Sequence, residues 1–295
     1  MHWFKGNLHT HTTNSDGNTD PLGVAAWYRD HRYDFLSLTD HNYLTVTEPL
    51  QDALDESGDD HLLLVPGEEL TDYFRGTERG YHIHVNGLGT KATIGAQGGE
   101  SINDMLEGMV GAINEQGGIA SVNHPNFWTS LSVDDLLALR TLTHFEIYNG
   151  HPECFSFGTE AAPSSEVMWD ALLSAGRRVF GMAVDDAHDF QTFADNRSNP
   201  GRGWIQVWTD RLEAGAVLEA IRLGRFYAST GPEIAVLEPR RRGLVVEAEG
   251  KVTFLGRDGE VVSEGSGYQR LRWRQPYLRA RVENEAGIAW TQPIW

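Results

Sequence analysis

Short apolar runs alternate with helix-like segments along most of this chain, and that alternation constrains the fold more than any other feature. The candidate strands are Trp3–His9, Asp34–Thr39, Leu62–Glu69, Tyr81–Gly87, Ile119–Asn123, His144–Tyr148, Val179–Val184 and Trp204–Trp208. Between them the spacing predicts helices over Pro21–Arg32, Glu48–Glu56, Ile102–Glu115, Asp134–Arg140, Glu166–Ala175 and Leu212–Leu223. Ser101 and Ser132 are well placed to cap two of these, and Gly117, Gly176 and Gly224 stand where helices should stop. Strand–helix alternation repeated about seven times argues for a parallel sheet, open or closed into a barrel.

The pattern changes in the 230s. Beyond Gly231–Pro232 helical periodicity disappears, and Leu244–Ala248, Val252–Leu255, Glu260–Ser263, Leu271–Arg274 and Leu278–Val282 read as short strands. Charge shifts at the same place. Residues 1–239 carry 14 Lys+Arg against 35 Asp+Glu, whereas residues 240–295 carry 10 against 7. We therefore expect two units: residues 1–232 as the α/β part, and 233–295 as a small antiparallel β domain packed on it. The formal net charge of −18 argues against non-specific nucleic-acid binding, which needs a basic surface. The lone cysteine, Cys154, excludes a disulfide framework and a cysteine-rich zinc module. Without an apolar signal-like segment at its start or a run long enough to span a bilayer, the chain is expected in the cytoplasm.

Chemistry-bearing residues cluster after the strand candidates. They are His9 and His11 with Asp16, Asp40–His41, Glu68–Glu69, His82 and His84, Asn123–His124, and Asp185–Asp186 with His188. An H-x-H pair in an extended segment sends both imidazoles to one side, with Cα atoms roughly 6–7 Å apart, close enough to grip one ion. Each group alone has a plain structural explanation, a cap or a hydrogen-bonded histidine. Six groups at or near the carboxyl ends of parallel strands, which meet on one face of an α/β barrel, point instead to a shared metal cluster. Imidazole and carboxylate without thiolate suit Zn, Mn or Fe. His2, His31, His61, His144 and His151 read as structural or surface residues.

The motifs HTHT with SDG, TDHN, PGEE, HVNGLG, NHP and DDAH, in that order over about residues 5–190, resemble those of the PHP (polymerase and histidinol phosphatase) family of metal-dependent phosphoesterases. GRFYASTGP at 224–232 and the LRARVENEAGIAWTQPI stretch resemble a two-domain branch. The resemblance implies a distorted (β/α)7 TIM-like barrel binding two or three divalent metal ions. It implies that His9, His11, Glu69 and Asp186 hold the first, that Glu69 bridges to a second held by His84 and His124, and that Asp16, His41 and His188 hold the third. The family's Gly-x-Glu pattern selects Glu69 over Glu68, and HVNGLG selects His84 over His82. Asp16 stands where the family often has His, which makes the third position richer in oxygen.

These ligands imply a hydrolase in which a metal-bound hydroxide, near Glu69, Asp186 and His188, attacks phosphorus. The expected substrate is a small anionic phosphorylated metabolite or nucleotide phosphate. Three divalent ions would add about +6 charges locally, so the mouth can attract an anion although the chain is acidic. Arg75, Arg197 and Arg202 are candidates for a phosphate contact, and Asp40, Asn123 and Asp185 for orienting the ligands. Hydrolysis of an amide, carbamate or carboxylic ester is the alternative reaction, and a non-catalytic metal-binding module the alternative role.

Overall fold

The computed structural model describes residues 1–57, 61–76, 80–241, 243–272 and 276–295. Six α-helices and fifteen strands are present among them. The strands are β1 (His2–Asn7), β2 (Phe35–Leu36), β3 (Leu63–Leu64), β4 (Gly67–Phe74), β5 (Tyr81–Leu88), β6 (Ile119–Val122), β7 (His144–Asn149), β8 (Phe180–Val184), β9 (Trp204–Thr209) and β10 (Phe226–Ser229). After Pro232 come β11 (Ile234–Arg240), β12 (Gly243–Leu255), β13 (Val261–Arg272), β14 (Arg279–Asn284) and β15 (Gly287–Thr291). The helices are α1 (Pro21–Asp30), α2 (Glu48–Ser57), α3 (Ile102–Glu115), α4 (Val133–Ala138), α5 (Ser165–Ser174) and α6 (Ala214–Arg222).

Helix ends follow the local chemistry. The Asp104 backbone N–H donates to the Ser101 hydroxyl at the start of α3, and Ser132 with Asp135 forms a capping box on α4. Gly176, at φ +81°, ends the turn after α5 in the left-handed region where a side chain is strained. The apolar face of α3 (Met105, Met109, Val110 and Ile113) packs with Ile83, Val85 and Phe145 from the sheet beneath.

The strands form two sheets rather than one closed barrel. One runs β11-β12-β14-β15-β10-β9-β1-β2-β3, with β13 on β12; the other runs β4-β5-β6-β7-β8. Pairing is parallel for β1–β2, β2–β3, β6–β7 and β7–β8. It is antiparallel for β4–β5, β5–β6, β1–β9 and β9–β10, which corrects the expectation of an all-parallel sheet. The expected strand Leu62–Glu69 breaks at Val65–Pro66, since Pro66 offers no N–H to a ladder; its halves, β3 and β4, enter different sheets. Single bridges join the sheets at Thr10–Ala187 and His41–Glu69.

Beyond Pro232 the regular structure among the described residues is antiparallel strand with one short turn of 3-10 helix at Arg257–Gly259, as the loss of helical periodicity implied. The expected strand at Leu271–Arg274 belongs to the end of β13 as far as Arg272; Trp273 and Arg274 lie outside the described residues. β15 continues through β10 and β9 to β1, so the C-terminal strands extend the first sheet.

A buried ion pair ties them to α5. Arg279, 1% exposed, donates from Nε and Nη2 to the two carboxylate oxygens of Asp170 at 2.9 and 2.6 Å, and the Tyr277 hydroxyl donates to Asp170 at 2.8 Å. Glu166 Oε1 also lies 2.8 Å from Arg279 Nη1, so losing Asp170 removes the bidentate partner without leaving the guanidinium uncompensated. Asp170→Ala should therefore lower unfolding free energy by about 1.5–3 kcal/mol in chemical denaturation, whereas a loss below about 1 kcal/mol would contradict this role.

Candidate metal centre

The seams between the two sheets bring distant segments into register. The His11 N–H donates to the Ala187 carbonyl and the Asp186 N–H to the His9 carbonyl, both at 2.9 Å. At the other seam the Asn42 N–H donates to the Glu69 carbonyl at 2.8 Å, and the Glu69 N–H to the Asp40 carbonyl at 3.2 Å. His9, His11, His41, Glu69, Asp186 and His188 all lie on these two crossings. His84 joins them through the β4–β5 hairpin, where Glu69 pairs with Asn86 and Thr71 with His84, so that Glu69 and His84 are diagonal neighbours on one face. Glu69 and His84 thus sit inside antiparallel strands, not at the ends of parallel ones as the sequence suggested. His124 follows β6, its N–H held at 2.8 Å by the Glu146 carboxylate.

The nine residues singled out in the sequence meet in one place. Glu69 Oε1 lies 3.3 Å from His9 Nε2, 3.0 Å from His84 Nδ1 and 3.5 Å from His124 Nε2. Its other oxygen lies 3.3 Å from His11 Nε2 and 2.8 Å from His41 Nδ1. Asp186 Oδ1 faces His9 Nε2 at 3.2 Å, His11 Nε2 at 3.1 Å and His188 Nδ1 at 3.7 Å. Asp16 reaches His188 Nε2 at 3.3 Å, His41 Nε2 at 3.5 Å and His11 Nδ1 at 3.6 Å. Three sets have donor atoms within 4.8 Å of one another: His9, His11 and Asp186; His41, Glu69 and His84; and His11, Asp16, His41 and His188. His11 and His41 each belong to two of these, a sharing that the sequence did not disclose.

The donor chemistry fits divalent cations. His9 Nε2 and His11 Nε2 face each other at 3.2 Å, as do His84 Nδ1 and His124 Nε2, so no more than one proton can lie between each pair. The buried Nε2 of His84 has no hydrogen-bond partner. Buried lone pairs turned toward one another, with carboxylates between them, are what an ion satisfies. The first set is fully buried, and the second is buried apart from His41, whose side chain is 24% exposed; the Asp16 side chain is 56% exposed, leaving the third open to solvent.

Neighbouring groups hold the ligands. Glu146 Oε1 accepts from His9 Nδ1 at 2.7 Å, which leaves Nε2 facing the cluster. Asn149 Nδ2 bridges Glu146 at 2.9 Å and Asp186 at 3.1 Å. Asn123 Nδ2 donates to Glu69 at 2.7 Å, as its position beside His124 suggested. Thr71 Oγ1 lies 2.6 Å from His41 Nδ1. Asp40 instead organises the 12–15 turn, accepting from the Thr12 N–H and the Thr12, Ser15 and Thr45 hydroxyls. Asp185 accepts from Asn7, Tyr28 and the backbone of Gly201, Arg202 and Gly203, and so anchors a loop. Asp186 takes a left-handed φ of +52°, which turns its carboxylate to the cluster and away from Asp185.

A cavity of about 460 Å³ opens over the cluster, lined also by His82, Phe127, His151 and Glu153. Among its described lining residues there is no arginine. Arg75 is exposed beside Tyr73, its guanidinium 5.7 Å from the ring; Arg197 reaches Asp189 at 3.6 Å; Arg202 donates to the carbonyls of Gly150 and Ala194.

The chain is similar to several solved structures. The chain superposes on a two-domain protein from Bacteroides vulgatus containing a predicted PHP-like metal-dependent phosphoesterase, with TM-score 0.55 and 15% identity over 99% of this chain and 95% of that one. The fold is shared. A protein from Bifidobacterium adolescentis named as a metal-dependent phosphoesterase gives TM-score 0.46 at 14% identity, covering 66% of this chain and 89% of its own. An amidohydrolase from Chromobacterium violaceum gives 0.44 at 15%, covering 63% and 88%. Both superpositions are looser than the first. No family model and no curated protein matches the chain.

Burial raises the Glu69 and Asp186 carboxyls, but the surrounding imidazoles outweigh it and hold both well below the usual range. Burial lowers His41, but Glu69 and Asp16 outweigh it and push it up to about 10; His84, where burial wins, falls to about 4. A raised imidazole is protonated at neutral pH, so an ion must displace that proton. Manganese loading should therefore release protons at pH 7, and affinity should tighten from pH 6 to 8, as followed by pH-indicator titration. Loading with no proton release and a flat affinity would contradict the assignment.

Proposed function

We propose that the chain is a metal-dependent phosphoesterase acting on a small phosphorylated metabolite or nucleotide phosphate. Its scaffold would be the two-sheet α/β arrangement over residues 1–232, braced by the β strands over 233–295. The observation that carries the reading is Glu69, a buried carboxylate with imidazoles on both oxygens. His9, His11, Glu69 and Asp186 would hold one ion, Glu69 with His84 and His124 a second, and Asp16 with His41 and His188 a third. Divalent zinc, manganese or iron in these positions would supply water activation and neutralise charge on a phosphoryl group.

The chain's own groups do the rest. Glu146 fixes the tautomer of His9, Asn123 orients Glu69, and Asn149 holds Asp186 against rotation. Phe127, its ring 5.1 Å from that of His124, walls one side and limits water at the buried ligands. The Asp16 side, open to solvent, is where an anionic substrate can enter. No helix among the described residues is long and apolar enough to cross a membrane.

The reading is tested by assaying manganese-loaded protein against p-nitrophenyl phosphate, its diester and an aryl carbamate. Phosphate ester turnover should appear, vanish on chelation, and fall at least about a hundredfold in Glu69→Gln. Turnover of the carbamate alone would overturn it.

A further inference from the structure

A second cavity, of about 500 Å³, lies beside the first and shares His151 with it. Its walls include Tyr148, Phe155, Phe157, Asp195 and Arg202. The size is that of a small-molecule pocket. Its connection to the cluster is direct: Asn149, which also lines it, donates through Nδ2 to Asp186 and accepts at Oδ1 from the His151 N–H at 2.8 Å. One side chain therefore orients a candidate metal ligand and the residue at the boundary of both cavities.

The aromatic walls are unusually placed. Phe155 is 42% and Phe157 67% exposed, although large apolar rings on one short loop are normally turned inward. The loop that carries them is pinned. Asn126 Nδ2 donates to the Phe155 carbonyl at 3.2 Å and to the Pro163 carbonyl at 2.8 Å, and the Gly158 N–H donates to the Phe155 carbonyl at 2.8 Å. Ser156 Oγ accepts from the Asn149 N–H at 2.9 Å. Phe157 packs against Tyr148 with centroids 5.8 Å apart and an interplanar angle of 55°, leaving most of its own ring uncovered. Fixed, solvent-facing rings beside a reaction centre suit a planar guest.

Polar groups narrow the guest further. His151 Nδ1 accepts from the Glu153 N–H at 3.2 Å, so in the neutral ring the proton is on Nε2, at the far end from that loop. Arg202 is held by two backbone carbonyls, and Asp195 adds a carboxylate to the wall. Asp195 balances the Arg202 guanidinium in charge, so the described lining residues carry no surplus positive charge for a second phosphate, and an uncharged ring needs none.

The geometry points to this cavity as the leaving-group subsite: the enzyme takes phosphate monoesters of alcohols that carry one planar ring and no second phosphate, the ring lying against Phe155 and Phe157. The inference rests on the phosphoesterase reading above, and the test separates the two. Benzyl and ethyl phosphate release alcohols of similar acidity, so a difference between them reports the ring. Calorimetry on the metal-loaded full chain should show benzylphosphonate binding at least about tenfold tighter than ethylphosphonate, with kcat/KM for the two esters in a similar ratio. Phe157→Ala should cut both ratios to about threefold or less, whereas Phe193→Ala, an exposed ring outside both cavities, should leave them as they are.

Equal binding of the two phosphonates, or an undiminished ratio in Phe157→Ala, overturns the subsite. Equal turnover of both esters likewise overturns it while leaving the phosphoesterase standing. Preference for benzylphosphonate without turnover of benzyl phosphate supports the subsite and removes the phosphoesterase.

Discussion

A carboxylate buried to 1% exposure has to be compensated, and Glu69 is compensated by five imidazoles from four separate stretches of chain. An uncompensated buried charge of this kind costs several kcal/mol. The fold is arranged around that demand: His9 and His11 come from the segment after β1, His41 from the segment after β2, His84 from β5, and His124 from the turn after β6. Divalent ions would satisfy the same lone pairs more completely than protons do. Metal binding and local order at the seams are then one equilibrium.

The seams explain why the cluster can be both buried and open. Single bridges, not full ladders, join the two sheets at Thr10–Ala187 and His41–Glu69, so the backbone there is fixed while the side chains are free of a continuous ladder's register. Buried donors collect at the base of the crossing. The Asp16 turn and the loops carrying His151 and Phe157 form the rim, where substrate would arrive. At the opposite extreme, the Arg279–Asp170 pair fixes the C-terminal strands to α5, remote from the chemistry.

Much of this was legible in the sequence, because the ligand motifs announce themselves by residue type and by following apolar runs. His9, Glu69 and Asp186 needed no tertiary information to be singled out. Strand direction was not legible. Alternating apolar segments look alike in parallel and antiparallel ladders, so β4, β5 and β9 were read in the wrong sense. The contact of Glu146 with His9 was not legible, because the two lie 137 positions apart and nothing local marks it. The backbone contacts of Arg202 were not legible either, since a guanidinium in a long loop gives no local sign that the carbonyls of Gly150 and Ala194 hold it. His151 carried no motif; only the cavity it shares reveals its position.

The most direct test of the account is an anomalous difference map from crystals of protein purified without chelator, collected across the manganese, iron and zinc edges. The account predicts two or three peaks, each within about 2.0–2.3 Å of nitrogen or oxygen atoms from His9, His11, Asp16, His41, Glu69, His84, His124, Asp186 and His188. A cluster with no peak after the metals are supplied, or peaks bound only by other residues, would contradict it.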